Sequence, residues 1–246
     1  MKIAEDVYMI GSGALGASWT HDRDCNVYAI RCGDEYLLID AGVGRETERL
    51  AENLCADGIS QEKVRRLLLT HYHLDHAGGA RWFRDHCAVE IGACTDTAAA
   101  LETGDEEAIS LAAAKRAGVY PDDFRLEPCK VDHVVRGGEI LSTGDATIEV
   151  LRTPGHSRDM VSYLVRKPDR LLLFSGDTIF HGGKILLSDI YDCDVPAYCR
   201  SLRSLAAYEI DALFPGHMMW VVRDAHLHLK KAMEYLDRLL LPPNLI

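Results

Sequence analysis

The sequence lacks the features by which a membrane-inserted or secreted chain is recognised. No apolar run in its 246 residues approaches the roughly 18 that a membrane-spanning helix needs. The opening residues, MKIAEDVYMIGSG, contain neither the basic segment nor the apolar segment of a signal peptide. We therefore expect a soluble, cytoplasmic protein with no membrane partner.

Paired cysteines and a surplus of basic residues are absent as well. None of the eight cysteines belongs to a CxxC pair, and a chain with 48% hydrophobic residues can bury a core without disulfides. We expect reduced thiols that are mostly buried. Acidic residues outnumber lysine and arginine by 38 to 27, which gives a formal net charge of -11. Because a surface of this sign repels phosphate backbones, we expect no nucleic-acid partner.

Apolar runs of strand length recur along the chain between turns that carry glycine or aspartate. The runs that predict strands are VYMI, NVYAIRC, EYLLID, LLLT, TIEVLR and LLLF. Strand-rich and helix-bearing halves follow one another in broadly the same order. This repetition predicts two sheets within a single domain that covers residues 1–246. The sequence leaves a homodimer open.

Two segments predict helices that can be delimited from the sequence. Residues 95–118 are rich in alanine and are broken at Gly104, which predicts a pair of helices in an insertion at about 95–130. Near the end of the chain, apolar residues recur at helical spacing. Asp224 is the predicted cap of this final helix, and the proline pair that begins at Pro242 is predicted to stop it.

The densest group of potential metal ligands is THYHLDHAGG at residues 70–79. It packs His71, His73, Asp75 and His76 into six residues, directly after an apolar strand. Imidazole nitrogens and carboxylate oxygens are ligands that Zn²⁺ accepts. Residues two apart share a direction only while the chain is extended, so a turn that starts near Asp75 would aim the next pair differently. One tight loop could thus serve two neighbouring metals.

Four apolar runs end in a small turn that is followed by a potential ligand. The runs with their ligands are LLLT and His71, VLRTPG and His156, LLLFSG and Asp177, and ALFPG and His217. Strands of a buried sheet that all deliver such side chains at their carboxyl ends converge on one rim. Glycine stands directly before three of these ligands and permits sharp turns.

With these segments in view, the sequence resembles the metallo-β-lactamase superfamily over essentially its whole length. The matching segments are LIDAG, HYHLDH, TPGHS, SGDTIF and FPGH, in the family's order. The resemblance implies an α+β fold, a four-layer αββα sandwich with the metals at one edge between the sheets. It also implies two zinc ions as cofactors, although iron or manganese would suit the same ligands.

The family's ligands carry over to matching positions of this sequence. Three residues would hold the first metal, three the second, and one would bridge both: His71, His73 and His156; Asp75, His76 and His217; and Asp177. Asp40, in the LIDAG segment, would support the ligand loop from behind.

The resemblance implies a metal-dependent hydrolase that uses a metal-bridging hydroxide. Two metals about 3.5–4 Å apart depress the pKa of a shared water toward about 7. The hydroxide would attack the carbonyl of a small ester, thioester or lactone. Asp75 would orient it and handle its proton, which makes Asp75 the predicted catalytic residue.

Several activities share these ligands, and the sequence leaves the choice open. SGDTIF resembles the corresponding run of glyoxalase II enzymes, which cleave glutathione thioesters, but only 29 residues follow His217, so we expect no helical glutathione-binding domain. Acyl-homoserine lactonases carry a catalytic tyrosine three residues after the bridging aspartate, where this chain has Phe180. The main alternative to a hydrolase is a mononuclear iron oxygenase that resembles the persulfide dioxygenases. A noncatalytic binding module on the same fold is disfavoured by the complete ligand set.

Candidates for contact with a small-molecule substrate lie close in sequence to the ligands or on the glycine-rich loop near the start of the chain. They are Trp19, Tyr72, Phe180, His181 and Trp220.

Overall fold

The structure is a computed structural model that describes residues 1–245. The chain forms two compact units, of which unit 1 covers Met1–Val135 and unit 2 begins at Arg136. Each unit contains one β-sheet, as the repeated pattern of the sequence predicts. The assignment of residues 1–246 to a single domain with an insertion at about 95–130 stays a prediction.

Unit 1 is built on a seven-stranded sheet whose strands follow one another across the sheet in chain order. They are Lys2–Ala4 (β1), Val7–Gly11 (β2), Val27–Cys32 (β3), Glu35–Ile39 (β4), Val64–Leu68 (β5), Glu90–Ala93 (β6) and His133–Val134 (β7). Neighbours from β1 to β4 are antiparallel, and neighbours from β4 to β7 are parallel. Because β4 and β5 are parallel, the residues that follow them, Asp40 and Thr70, meet at the same edge.

The helices of unit 1 connect the parallel strands. They are Thr47–Ala56 (α1), Leu74–Ala77 (α2), Ala80–Cys87 (α3), Thr95–Thr103 (α4) and Leu111–Arg116 (α5). The last two confirm the helix pair predicted within residues 95–118. Gly104 ends α4 with a φ of 67°, in the left-handed region that glycine adopts without a Cβ penalty.

Unit 2 is built on a five-stranded sheet with two flanking helices. Its strands are Ile140–Thr143 (β8), Ala146–Arg152 (β9), Val161–Lys167 (β10), Arg170–Gly176 (β11) and Ala212–Pro215 (β12), and its helices are Val195–Leu205 (α6) and His226–Asp237 (α7). The order across the sheet is β12-β11-β10-β9-β8. Since β9 and β11 are both antiparallel to β10, and β12 is parallel to β11, the strands β9, β11 and β12 all end at one edge.

The predicted boundaries of the final helix are wrong at both ends. Asp224 does not cap α7, because it has a left-handed φ of 53° and its backbone carbonyl, rather than its carboxylate, accepts a hydrogen bond from Leu227 N. The helix ends at Asp237, and Leu239 follows in a left-handed conformation with a φ of 59°. The chain has therefore already turned before it reaches Pro242.

Each sheet packs against apolar side chains of its own helices. In unit 1, Leu50 and Leu54 of α1 and Phe83 of α3 belong to the buried cluster that includes the centre of the sheet. In unit 2, Leu202 of α6 and Leu229 of α7 do the same. Among residues 1–245, no helix is long and apolar enough to cross a bilayer. A cytoplasmic location and a homodimer stay predictions.

The eight cysteines form no disulfide among the described residues, and five of them are buried. The expectation of mostly buried thiols is confirmed.

Candidate metal centre

The ligand loop of unit 1 lies between β5 and α2. His71 and His73 stand in its extended part, and α2 begins at Leu74, so Asp75 and His76 lie on a helical turn. The predicted change of direction near Asp75 is confirmed. His71 and His76 are fully buried, whereas the side chain of Asp75 is 18% exposed. This loop therefore presents an accessible carboxylate beside buried imidazoles.

Within this loop the potential ligand atoms face one another in two pairs. His71 Nε2 lies 3.1 Å from His73 Nδ1, and His76 Nε2 lies 3.5 Å from Asp75 Oδ2. The two pairs correspond to the two halves of the loop that the sequence distinguishes. Unit 1 thus places one pair of candidate ligands in the extended segment and one pair on the helical turn.

Asp40 fixes the orientation of the loop from behind. Its buried carboxylate accepts hydrogen bonds from Thr70 N at 2.8 Å and from Thr70 Oγ1 at 2.9 Å, and it lies 2.8 Å from His76 Nδ1. Thr70 Oγ1 in turn lies 3.0 Å from His71 Nδ1. Because Nδ1 of His71 and Nδ1 of His76 make these contacts, Nε2 is the ring nitrogen of each that faces the neighbouring candidate ligand. This is the support that carboxylates give to metal-binding histidines.

Cys25 lies beside the same supporting group. Potential ligand atoms of Cys25, Asp40 and His76 lie within 4.8 Å of one another. Burial raises the pKa of the Cys25 thiol to about 12. Cys25 is thus a buried neighbour of His76, and it is not among the ligands predicted from the sequence.

In unit 2, three strands deliver their ligands at one sheet edge. His156, Asp177 and His217 follow β9, β11 and β12, and all three side chains are buried. A single oxygen, Asp177 Oδ2, lies 3.5 Å from His156 Nε2 and 3.4 Å from His217 Nε2. The convergence predicted for these three ligands is confirmed within the unit.

The backbone around Asp177 is held by a buried tyrosine. The Tyr198 hydroxyl donates to Asp177 O at 2.5 Å and accepts from Leu186 N at 3.1 Å. Leu186 O lies 2.9 Å from His156 Nδ1, so it accepts the ring proton and leaves Nε2 toward Asp177. Gly155 makes this packing feasible, since an added Cβ would lie 2.5 Å from the Tyr198 Cα. Tyr198 and Leu186 therefore position two of the predicted ligands.

Three of these four separations fit a shared metal better than a hydrogen bond, whereas the 3.1 Å between His71 Nε2 and His73 Nδ1 fits a hydrogen bond. Two ligand atoms that share one tetrahedral zinc, each at about 2.0–2.2 Å, lie roughly 3.3–3.6 Å apart. The pairs of Asp177 with His156 and His217, and of Asp75 with His76, fall between 3.4 and 3.5 Å. Hydrogen bonds between nitrogen and oxygen are shorter, typically about 2.7–3.2 Å. The donor set in each unit thus suits a divalent cation, which would also offset the cost of burying the Asp177 carboxylate.

The predicted substrate-contact residues have different environments. Tyr72 is buried and its ring lies 5.5 Å from that of His73, and Phe180 is buried with its ring 6.5 Å from that of His217. His181 is exposed and packs on His228 of α7, with ring centroids 4.8 Å apart. Trp19 and Trp220 are half-buried. Contact of these five residues with a substrate stays a prediction.

The sequence did not predict the two residues that position candidate ligands through backbone atoms, Tyr198 and Leu186. Tyr198 lies on α6, 21 positions from Asp177, and Leu186 acts through its carbonyl. A carbonyl carries no sequence signature, and a tyrosine in an amphipathic helix is usually a packing residue. Thr70, in contrast, stands directly before His71 and could have been proposed from the motif.

Imidazole and carboxylate groups that could bind a metal stand at the carboxyl ends of strands in each of the two units. The family model of the metallo-beta-lactamase superfamily matches residues 21–217. The chain therefore belongs to the metallo-β-lactamase superfamily and is an enzyme of this hydrolase class.

Two groups of curated relatives are similar to the chain. Acyl-coenzyme A thioesterase MBLAC2 of Homo sapiens is 30% identical over 226 residues, which are 82% of this chain and 78% of that protein. The atrochrysone carboxyl ACP thioesterase of Aspergillus fumigatus is 28% identical over 194 residues, which are 78% of this chain and 50% of that protein. Both are named as thioesterases.

Solved structures support the fold. A metallo-β-lactamase of Cronobacter sakazakii with a HARLDQ motif superimposes with a TM-score of 0.74 at 19% identity, over 97% of this chain and 93% of that one. The predicted α+β class, with two sheets flanked by helices in the αββα manner, is confirmed.

Proposed function

We propose that the chain is a two-metal hydrolase of acyl thioesters. In this proposal His71, His73 and His156 hold one metal, Asp75, His76 and His217 hold the other, and Asp177 bridges them. The observation that carries it is the position of Asp177 Oδ2, which faces two imidazole nitrogens at 3.4 and 3.5 Å as a shared ligand would. Zinc is the proposed metal, because these ligand types and separations suit tetrahedral zinc.

The reaction consumes one water and releases a carboxylic acid and a thiol. Bound divalent cations would supply positive charge for the developing oxyanion and make water more acidic near neutral pH. Asp75 is the residue of the chain that we assign to proton transfer. Its carboxylate accepts the proton of the attacking water as the acyl carbon–oxygen bond forms, and it delivers the proton to the sulfur as the carbon–sulfur bond breaks.

The supporting residues keep this arrangement fixed during the reaction. The Asp40 carboxylate contacts Nδ1 of His76, and the Leu186 carbonyl accepts a hydrogen bond from Nδ1 of His156. Neither imidazole ring can therefore rotate without losing a buried hydrogen bond. Preorganised ligands of this kind lower the reorganisation needed in the transition state.

Thioesters are favoured over the other substrates of this class for two reasons. The similar curated proteins are named as acyl-coenzyme A and acyl-carrier-protein thioesterases. In addition, the position where lactonases of this fold carry a tyrosine holds Phe180, a buried side chain without a hydroxyl group. A thiolate is also a better leaving group than an alkoxide, so its departure needs no additional acid from that position.

The proposal is tested by metal analysis combined with a substrate panel. Purified protein should contain about two zinc ions per chain and should hydrolyse a short acyl-coenzyme A faster than a lactone or a β-lactam of similar size. Asp75→Asn should lose turnover, whereas Asp237→Asn, at an exposed ion pair with Arg203, should match the wild type. One iron per chain with thiol-dependent oxygen uptake would instead establish the oxygenase that the sequence leaves as the alternative.

A further inference from the structure

A loop that precedes β3 is rigidly built although it has no regular secondary structure. Gly13 N donates to Asp24 O at 3.1 Å, and the buried Asp24 carboxylate accepts from Thr20 Oγ1 at 2.6 Å and from Val43 N at 2.8 Å. Arg23 extends from this loop and is exposed. Its backbone is therefore fixed while its guanidinium group remains accessible.

This loop is joined directly to the ligand loop. Cys25 N donates to Asp75 O at 3.3 Å, and Cys25 stands only two positions after Arg23. Arg23 therefore lies two residues away from a backbone contact with Asp75, the residue that we assign to proton transfer.

The insertion approaches the same place from another part of unit 1. After α5 the chain turns at Gly118, which has a φ of 72°, and Tyr120 follows, half-buried. The Tyr120 ring lies 5.4 Å from that of Phe124, and Phe124 belongs to the buried cluster that contains Tyr72 and Leu74. Because Tyr72 and Leu74 flank His73, the insertion is packed against the ligand loop.

Arg23 and Tyr120 meet where these two segments come together. The Arg23 guanidinium carbon lies 5.7 Å from the centroid of the Tyr120 ring. Within residues 1–245, no acidic side chain lies within 4.0 Å of the Arg23 guanidinium nitrogens, and the Tyr120 hydroxyl makes no hydrogen bond. The guanidinium group therefore lies over the tyrosine ring, and neither residue's donor group has an acceptor among the described residues.

A neighbouring arginine shows the contrast. Arg45 stacks over Phe124, with its guanidinium carbon 4.8 Å from the ring centroid, but its Nη2 atom lies 2.7 Å from Asp123 Oδ2. Its charge is thus compensated within the protein. Arg23 makes the same kind of ring contact, but unlike Arg45 it has no acidic partner among the described residues.

The protonation state of Tyr120 suits a donor. Burial raises the pKa of its phenol well above the ordinary value of 10, and the nearby Asp75 carboxylate raises it further. The hydroxyl group therefore keeps its proton at neutral pH. A chain with a net charge of -11 repels anions at long range, so an anionic substrate needs local donors of this kind.

We propose that Arg23 and Tyr120 form a subsite for an oxyanion of the substrate, either a carboxylate on the acyl half or a phosphate on the thiol half. Arginine binds both through charge-assisted hydrogen bonds, and the tyrosine hydroxyl adds one more donor. The inference rests on the proposed function for the thioester nature of the substrate. It gives the insertion a role, which is to recognise the substrate beside Asp75.

The test is calorimetric binding to metal-free protein, so that the metals contribute nothing to anion affinity. Three non-hydrolysable thioethers are compared: S-ethyl-coenzyme A, which carries phosphates; S-(2-carboxyethyl)-N-acetylcysteamine, which carries a carboxylate; and S-propyl-N-acetylcysteamine, which is neutral. The variants are Arg23→Ala and Tyr120→Phe. The control is Arg65→Ala, since Arg65 is exposed, pairs with Glu35 at 3.1 Å and lies at the start of β5, away from the end that carries the ligands.

We expect at least one anionic probe to bind about tenfold more weakly to both variants, as the loss of a charge-assisted hydrogen bond implies. The neutral probe and the Arg65→Ala control should be unchanged, and the probe that responds identifies the carboxylate or the phosphate as the ligand. Equal binding of both anionic probes by wild type and variants would overturn the inference, as would an equal loss for the neutral probe or no binding of either anion by the wild type. Failure of the zinc-loaded wild type to hydrolyse thioesters would overturn the proposed function and leave this binding result standing.

Discussion

The buried carboxylate of Asp40 lies 2.8 Å from Nδ1 of His76, so the residue that follows β4 orients a predicted ligand that stands 36 positions later. Asp40 has a left-handed backbone, with a φ of 62°. Aspartate and asparagine adopt this conformation more readily than most residues. The position therefore requires both a particular backbone and a particular acceptor.

Asp40→Asn should keep the backbone and weaken the orientation of His76. We expect zinc affinity to fall about 10–100-fold, because the loss of such a supporting carboxylate has effects of this size. Competition with a chromogenic chelator measures it. Asp85→Asn, at an exposed pair with Arg81, is the control and should leave zinc affinity unchanged. Unchanged zinc affinity in Asp40→Asn would show that His76 needs no support from this carboxylate.

Asp177→Ala should lower metal occupancy and abolish turnover while the fold survives. The Asp177 carboxylate is the group that faces both His156 and His217, so its removal deletes the shared ligand. Turnover should drop by more than the roughly 100-fold expected for a supporting residue. Metal analysis, circular dichroism and thioester turnover are measured on the same preparation, with Asp237→Ala as an exposed control. Full activity in Asp177→Ala would rule out a bridged pair.

Tyr198→Phe should destabilise unit 2 and loosen two ligands together. Loss of the hydroxyl leaves Asp177 O and Leu186 N without their buried partner, at a cost of about 2–4 kcal/mol in the free energy of unfolding. Urea denaturation measures this cost, and zinc titration measures the loosening. Tyr208→Phe is the matched control, because its half-buried hydroxyl contacts Glu149 and its removal should cost less than about 1 kcal/mol. Equal costs for the two variants would contradict the role assigned to Tyr198.

The strands that the sequence predicts correctly, and the candidate ligands placed at their ends, depend on local signals. A run such as LLLFSG before Asp177 indicates both a buried strand and a sharp turn, and Gly176 has the positive φ of 49° that this turn requires. The contact of Leu186 O with His156 joins residues 30 positions apart through a backbone atom, and no side-chain pattern encodes it. The cap of α7 was predicted wrongly for a related reason. Asp224 has the residue type of a cap, but its backbone is left-handed and its carbonyl, not its carboxylate, accepts from Leu227 N.

Asp132 should make the stability of unit 1 depend on pH in the acid range. Its hydrogen bonds with the Arg84 guanidinium hold the pKa of its carboxyl well below the usual value of 3.8. Since the folded pKa is depressed, the stabilisation is complete above about pH 4 and is lost as the pH falls toward the folded value. Asp132→Asn should therefore cost about 1–3 kcal/mol at pH 7 and progressively less below pH 4.

The matched control for this prediction is Asp85→Asn. Asp85 pairs with Arg81 one helical turn away, and both side chains are about half exposed. Such a pair contributes only about 0.3–0.5 kcal/mol, so the variant should stay close to the wild type at every pH. Urea unfolding of the three proteins from pH 7 to pH 2 decides the matter. A cost for Asp132→Asn that does not change with pH would mean that the Arg84 pair does not depress the carboxyl pKa.

Calorimetric titration of the metal-free wild type with zinc tests the proposed metal centre most directly. If the ligands of the two units act together as we propose, the titration saturates at two zinc ions per chain. Saturation at one ion, or no binding at all, would contradict the account.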